Sequence, residues 1–408
     1  MIRPFVWSTL LSFSLFPFVC AAIPQTVVLD ATRLATVKAQ LQYGTETAAL
    51  RSTLATLVNQ ANYWLSQGPW SVTNKSSSGL PPGATIYDYV SQAPYFWPGN
   101  TSTGCPYVEY DGQVYPGSQV WPDHDNRGRV FASSYILSLA WYYTGNAAYS
   151  QQAANVIRTW FITNATAMNP NLNHAQFIPC SNSGRYIGII DFSQGYTSVL
   201  DAVAILQSGA PGWTAADAAG FVAWNTAYSS WLETSSFGQQ ETAATNNHGT
   251  FALMQSAGVA LFLGNTALAR SKVNAMLPRI SAYITANGSQ PQELARTRSF
   301  HYSVYDLLAY TRMADIASKV GVNVWGYTGS NGQSIQQAVN FIIPAASGAQ
   351  SWSYPELDFE AYTAGDVIHA AADAGNPNAV AALKNVPTPP SGSLWFIRPA
   401  PELLDQTT

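Results

Sequence analysis

Two short segments concentrate the side chains that acid–base chemistry needs. Thr245-Asn246-Asn247-His248-Gly249-Thr250 opens an apolar run from Phe251 to Leu263 that reads as a helix. Asn247 and His248 therefore sit near a helix N-terminus, where backbone N–H groups and the helix dipole favour an anion. The second segment is Pro291-Gln292-Glu293-Leu294-Ala295-Arg296-Thr297-Arg298-Ser299-Phe300-His301-Tyr302, and it also leads into a helix. Together the two offer amide, imidazole, guanidinium and phenol groups. That set suits an acidic substrate with a weakly acidic C–H bond beside its carboxylate.

β-Elimination on a polyuronate is the chemistry that fits. The C5 proton of a uronate is hard to remove because the adjacent carboxylate repels the developing negative charge. Asn247, His248 and Arg296 are donors able to neutralise that carboxylate in an enolate-like transition state. A base then takes the C5 proton and an acid protonates the departing O4. Tyr302 can do both if Arg296 and His248 lower its pKa by stabilising the phenolate. No metal or organic cofactor is required.

Each residue has a plainer alternative. His248 could cap a helix. Arg296 could pair with Glu293 or Asp306 rather than with a substrate. Tyr302 is one of 22 tyrosines, and Tyr305 is its rival one helical turn on. His301 could support Tyr302 or cap its helix. Asp123-His124-Asp125 hints at a metal, but no further ligand follows at a recognisable spacing. A structural or substrate-contacting role is the better expectation for His124. Tyr95 and Trp97 could stack on sugar rings or pin a loop. Arg127, Arg129 and Arg185 could line a groove for a polyanion or make ordinary ion pairs.

Helices must position these groups. Leu34, Val37 and Leu41, then Leu50, Leu54, Leu57 and Val58, give a helical pattern from 29 to 67. Residues 68–129 are rich in Gly, Pro, Ser, Asn and Tyr. A loop region this long inside a compact domain is usually functional. Further helices are predicted over 130–144, 148–163, 194–208, 214–232, 249–263, 266–285, 301–320, 333–345 and 363–385. Turns at Gly145-Asn146 and Gly264-Asn265 separate some of them. The tail from about Pro387 reads as extended. No alternating run is long enough for a substantial sheet, and no linker divides the chain. The expectation is one all-α domain over 23–408, a helical array or a closed ring of helical hairpins.

Composition narrows the class. The 408 residues carry 18 Lys+Arg against 22 Asp+Glu, a net charge of −4. Only 10% are charged and 47% are hydrophobic, which excludes a disordered chain. The lack of a basic excess argues against nucleic-acid binding. A net negative protein can still hold a locally positive cleft. Thirteen Trp, 22 Tyr and 17 Phe suit carbohydrate contact. Residues 1–22 read as a secretory signal, with Arg3, an apolar run to Val19 and small residues at 20–22. No stretch is long enough for a membrane span. Cys105 and Cys180 would remain as an even pair in an oxidising compartment, so a disulfide is expected. Sequons at Asn74, Asn100, Asn164 and Asn287 fit a secreted glycoprotein.

The ordered set of segments resembles the alginate lyase domain family of polysaccharide lyases. Tyr87-Asp88-Tyr89 and Pro94-Tyr95-Phe96-Trp97-Pro98 resemble its aromatic loop, and Pro106 to Gln113 continues it. Asn169 to Gln176 and Gly184 to Asp191 resemble a further stretch. The Asn-Asn-His-Gly and Glu-Leu-Ala-Arg…His-Tyr segments resemble its catalytic region. The resemblance implies an α/α toroid or incomplete α/α barrel with long active-site loops. It implies catalytic roles for Asn247, His248, Arg296 and Tyr302. Substrate contacts are expected at Tyr95, Trp97, His124, Arg127, Gln176, Arg185, His301 and Tyr305. The Arg296-to-Tyr302 step is one residue shorter than in the better-known bacterial mannuronate lyases, which implies a sister subgroup. Cys180 stands where the family stretch has Gly, which fits a lineage-specific disulfide.

Three functions therefore compete. The first is a secreted, monomeric lyase that takes an acidic polysaccharide, polymannuronate or glucuronan, as its substrate. Mannuronate and glucuronate share configuration at C4 and C5, so one Tyr could act as base and then acid. Guluronate inverts C5 and would call for two residues, such as His248 as base and Tyr302 as acid. The second is a glycoside hydrolase, which needs opposed carboxylates; Glu293, Glu356, Asp358 and Glu360 are the candidates. The third is a non-catalytic polysaccharide-binding protein.

Overall fold

The computed structural model describes residues 23–181 and 184–404. The expected signal segment, residues 1–22, lies outside the described residues. Helices α1 (Ala31–Tyr43) and α2 (Ala48–Leu65) come first. Asp30 caps α1 by accepting from the backbone N–H of Thr32 and Arg33, and Thr47 caps α2. The continuous helical pattern over 29–67 is thus two helices, divided at Gly44, which ends α1 at φ 67°.

The next pair is α3 (Asp123–Thr144) and α4 (Ala147–Phe161). Helix α3 starts at Asp123 rather than Val130. Its first turns are polar and contain Gly128, which hides the pattern, but Asp123 and Asp125 suit a helix N-terminus. Gly145 takes the left-handed conformation (φ 72°) that returns its N–H to Trp141. Asn146 then caps α4.

Helices α5 (Ile190–Ser193), α6 (Tyr196–Gln207), α7 (Ala215–Thr234) and α8 (Ser236–Ala243) follow. Ser235 both ends α7 and caps α8. Helix α8 was not predicted, because its Gly and Gln content carries little apolar period. Helices α9 (Asn247–Phe262) and α10 (Thr266–Tyr283) are joined by Gly264, at φ 74°, and the cap Asn265. Then come α11 (Pro291–Leu294), α12 (Ser299–Lys319) and α13 (Ile335–Ala346). The helix predicted over 363–385 is divided into α14 (Gly365–Asp373) and α15 (Pro377–Ala382). Gly375 and Pro377 supply the break.

Helix α3 packs on α2, α4 and α6, while α9 packs on α6, α10 and α12. Helices α3, α6, α9 and α12 are buried along nearly all their faces. They form the inner layer, and Phe161 of α4, Phe192 of α5, Tyr196 of α6 and Phe221 and Tyr228 of α7 interlock where α6 meets its neighbours. Truncating one of these rings to Ala would cost about 3–5 kcal/mol. The tail after Pro387 lacks long helices but is not peripheral. Leu394, Trp395, Ile397 and Ala400 are buried in it.

The long loop region is held from below. Lys75 is buried and donates to the carbonyls of Val72, Ile86 and Asp88 and to Asp123 at 2.8 Å. Strand β1 (Val90–Gln92) pairs in parallel with β4 (His174–Phe177), and β2 (Phe96–Trp97) pairs antiparallel with β3 (Val108–Glu109). Both are two-stranded, in keeping with the expected lack of a substantial sheet among the described residues. A Cys105–Cys180 disulfide, with Cα atoms 6.1 Å apart, ties the β2–β3 loop to the segment after β4. Cys180 has φ 77°, a conformation Gly adopts freely.

Candidate active site

The loop region and the starts of α9 and α12 enclose a cleft of about 660 Å³. Asn247, His248, Arg296 and Tyr302 all line it, with Tyr95, His124, Gln176, Arg185, His301 and Tyr305. Sequence positions far apart are thus brought to one surface.

Asn247 and His248 are the first residues of α9, which lacks a side-chain cap from Asn246. Glu293 on α11 fills that gap. Its carboxyl accepts from the Asn247 backbone N–H and from Asn247 Nδ2, both at 2.7 Å. His248 Nδ1 lies 2.7 Å from Glu241 Oε1 on α8. Glu241 is fully buried, and burial raises its pKa while His248 draws it down. An ionised carboxylate only accepts, so Nδ1 carries the proton in that pair and Nε2 is the nitrogen left for the cleft.

Arg296 pairs with Asp111 from the loop region, not with Glu293 or Asp306. Its Nε donates to Asp111 Oδ1 at 2.9 Å, and its Nη2 donates to the same oxygen. Burial is the largest single influence and opposes the guanidinium charge, but the Asp111 hydrogen bonds and charge, with Tyr302 and Tyr95, together raise the Arg296 pKa. The guanidinium carbon stands 3.7 Å from the centre of the Tyr302 ring. Tyr302 Oη is 2.6 Å from Tyr95 Oη. The expected acidification of Tyr302 is reversed. Burial is the largest influence and Tyr95 adds to it, so the phenol lies well above its ordinary pKa although Arg296 pulls it down. His301 packs edge-on to Tyr302 and stacks on Tyr305.

Gln176 holds the opposite wall. Its φ is 47°, a rare conformation for a non-glycine residue. Such strain persists only where the surroundings over-determine it. Here Ser91 Oγ accepts the Gln176 backbone N–H at 2.8 Å, and Asp191 accepts its Nε2 at 2.9 Å. Asp191 is itself gripped by Tyr89 and Ser91. Arg185 lies over the Phe96 ring at 4.7 Å.

Residues 71–352, well over half the chain, match the alginate lyase family. The chain belongs to the alginate lyase family. It is similar to an alginate lyase from Bacteroides ovatus at 28% identity and TM-score 0.85, over 92% of this chain and 99% of that one. Alginate lyase A1-III from Sphingomonas species A1 shares the fold at 17% identity and TM-score 0.58, over 92% and 97% of the two chains. No curated protein matches the sequence significantly. The fold is accordingly an all-α, α/α toroid, and this alginate lyase family member is a polysaccharide lyase.

Some expected contacts of this lyase fall elsewhere. Trp97 is not in the cleft. Its indole N–H donates to the Gln113 carbonyl and its ring packs on Tyr110 and Tyr115, so it pins the loop. Adjacent strand residues face opposite sides, and it is Phe96 that turns inward. Arg127 is 2% exposed and absent from the cleft wall. It instead reaches His124 Nε2 at 2.9 Å and the Gln194 amide oxygen at 2.8 Å, while that amide's nitrogen donates to Tyr305. Arg129 is exposed outside the cleft, so Arg185 alone of the three arginines lines it. Asp123 and Asp125 are engaged by Lys75 and His124.

The hydrolase carboxylates do not converge either. Glu356 accepts from the backbone N–H of Phe300 and His301 and so caps α12. Glu293, Asp358 and Glu360 are also absent from the cleft wall. Glu241, Asp111 and Asp191, which the sequence reading missed, prove to hold His248, Arg296 and Gln176. Only Asp111 and Asp191 lie within segments that the family resemblance had singled out.

Proposed function

We propose that this lyase is secreted and cleaves a 1,4-linked polyuronate, polymannuronate or glucuronan, by β-elimination. The observation that carries the reading is the convergence of Asn247, His248, Arg296 and Tyr302 on one cleft. Asn247, His248 and Arg296 neutralise the uronate carboxylate at the subsite where C5 is attacked. Tyr302, once ionised, takes the C5 proton. The electron pair of that C–H bond forms the C4–C5 double bond as the C4–O4 bond breaks. The same Tyr302 proton then passes to O4, so the phenolate is regenerated. Arg296 over the ring is the group that stabilises the phenolate, while the Tyr95 hydroxyl at 2.6 Å positions the Tyr302 oxygen.

One observation favours a second assignment for guluronate linkages. The Glu241-held His248 presents Nε2 as a base, and burial, which raises the Tyr302 pKa, suits that phenol to the part of the acid. The two would then serve opposite faces of the sugar.

Secretion rests on the signal-like residues 1–22, the disulfide and the four sequons, whose Asn74, Asn100, Asn164 and Asn287 are all exposed. A single monomeric domain from residue 23 is the expected mature form. Product formation tests the activity. Each polyuronate is incubated with enzyme, and the unsaturated product is followed by ultraviolet absorbance. A rise on one substrate that disappears in Tyr302→Phe supports the reading. No rise on polymannuronate, polyguluronate or glucuronan, from folded protein, would overturn it.

A further inference from the structure

The Asn247 amide is held with the wrong end free. Its NH2 group donates to Glu293 Oε2 at 2.7 Å. Its Oδ1 is buried and meets no hydrogen-bond donor among the described residues. An oxygen in that position accepts hydrogen bonds, and a uronate carboxylate offers only further acceptors. The two would repel. Asn247 can neutralise a carboxylate only after its amide rotates half a turn, which presents Nδ2 and places Oδ1 against Glu293 Oε2.

That rotation sets a condition on Glu293. Oxygen would face oxygen unless Glu293 Oε2 carries a proton. With the proton in place, Glu293 donates to Asn247 Oδ1 while Oε1 still accepts the Asn247 backbone N–H. We propose that Glu293 is a positioning residue which, as a neutral carboxylic acid, turns the Asn247 amide so that its NH2 faces the substrate carboxylate. The inference rests on the polyuronate lyase reading given above.

The surroundings supply such an acid. Glu293 is 1% exposed, and Asp306 of α12 is 3% exposed. Burial first, and then the Asp306 carboxyl, push Glu293 up to about 8. Burial also pushes Asp306 up to about 7. The groups acting the other way are the two Asn247 N–H donors and then Arg296 on Glu293, and Thr250 of α9 and then Arg279 of α10 on Asp306. Tyr310 of α12 is a further titratable neighbour, itself pushed upward by burial and Asp306. The N-terminus of α9 favours an anion as well. Desolvation outweighs these, because two carboxyls in one dry pocket resist joint ionisation.

Glu293→Gln discriminates. Glutamine has a permanent NH2 donor for Asn247 Oδ1 and an oxygen for the backbone N–H, so it copies the neutral acid. In wild-type enzyme kcat should fall about tenfold per pH unit above the Glu293 transition. Glu293→Gln should stay within about threefold of wild type at neutral pH and lose that alkaline decline. Glu293→Ala, checked for folding by circular dichroism, should be much weaker at every pH. A folded Glu293→Gln as poor as Glu293→Ala, or one keeping the wild-type alkaline decline, overturns the proposal.

Infrared spectroscopy gives a readout without substrate. Wild type at neutral pH should show a neutral carboxylic acid carbonyl band that Glu293→Gln lacks. A wild type that cleaves polyuronate but shows no such band sinks this proposal alone. A wild type that shows the band but cleaves no polyuronate sinks the substrate reading, and the role of the amide with it.

Discussion

The phenolic oxygens of Tyr95 and Tyr302 lie 2.6 Å apart, bridging the long loop region and helix α12. One hydroxyl must donate to the other, so the proton state of Tyr302 is shared with a residue 207 positions away. Tyr302→Phe removes the acid–base group and should lower kcat by about 10³-fold or more. Tyr95→Phe leaves Tyr302 its hydroxyl but takes away the hydrogen-bond partner that positions it. A fall in kcat of about tenfold with little change in KM is expected. Equal losses in the two variants would argue that Tyr95 itself moves the proton. An unaltered Tyr95→Phe enzyme would show that the contact is idle.

His248 depends on Glu241 in the same way. The carboxylate fixes the ring and its tautomer through a 2.7 Å contact at Nδ1. Glu241→Gln keeps the size and loses the charge. Its kcat should drop about 10–100-fold, as for other outer partners that orient an imidazole. Nitrogen NMR of the imidazole should report Nδ1 protonated in wild type and a mixture of tautomers in Glu241→Gln. Wild-type rates together with an unchanged ring spectrum would remove Glu241 from the mechanism.

These partners show where sequence reading stopped. Asn247-His248 and Arg296…Tyr302 were legible because each group lies in a compact motif at a helix start. Gly145-Asn146 and Gly264-Asn265 were legible because a left-handed Gly followed by an Asn cap is a local device. Asp111 meets Arg296 across 185 residues of chain, and no local pattern announces such a meeting. Glu241 sits on α8, a helix with too little apolar period to be seen. Phe96 rather than Trp97 lines the cleft because a two-residue strand sends neighbours to opposite faces, and composition does not say which one faces inward. The start of α3 was missed for a related reason. Its first turns bury polar residues such as Asp123, Asn126 and Arg127, so the hydrophobic pattern begins late.

Asp111 gives a separate test of how Arg296 is held. It accepts from Arg296 and also from the Thr297 backbone N–H at 3.0 Å. Asp111→Ala frees the guanidinium from its fork and loosens the loop. A loss of about tenfold in kcat/KM is expected, with about 1–2 kcal/mol of stability. Asp111→Asn should recover part of the stability through the remaining acceptor. It should recover less of the activity, because the ionic fork stays broken. If the Ala variant bound and cleaved polyuronate as well as wild type, Arg296 would need no such anchor.

Asp217 offers a stability prediction away from the cleft. Arg158 donates to it from Nε and Nη2 at 2.8 and 2.9 Å, and Thr214 completes a capping box with it at the start of α7. The Arg158 hydrogen bonds come first among the causes that lower its pKa to about 2. A depressed carboxyl stabilises the fold at any pH above its unfolded value, roughly 3.9, and that stabilisation disappears as pH falls through the folded value. The Arg158 side chain is 35% exposed, so solvent screens the pair. After that discount its contribution is about 1–2 kcal/mol. Asp217→Asn should therefore be less stable than wild type by that amount in urea unfolding at neutral pH. The difference should shrink between about pH 4 and pH 2 and vanish below. A gap that stays constant across that range would mean that packing or the cap, rather than the charge, makes the difference.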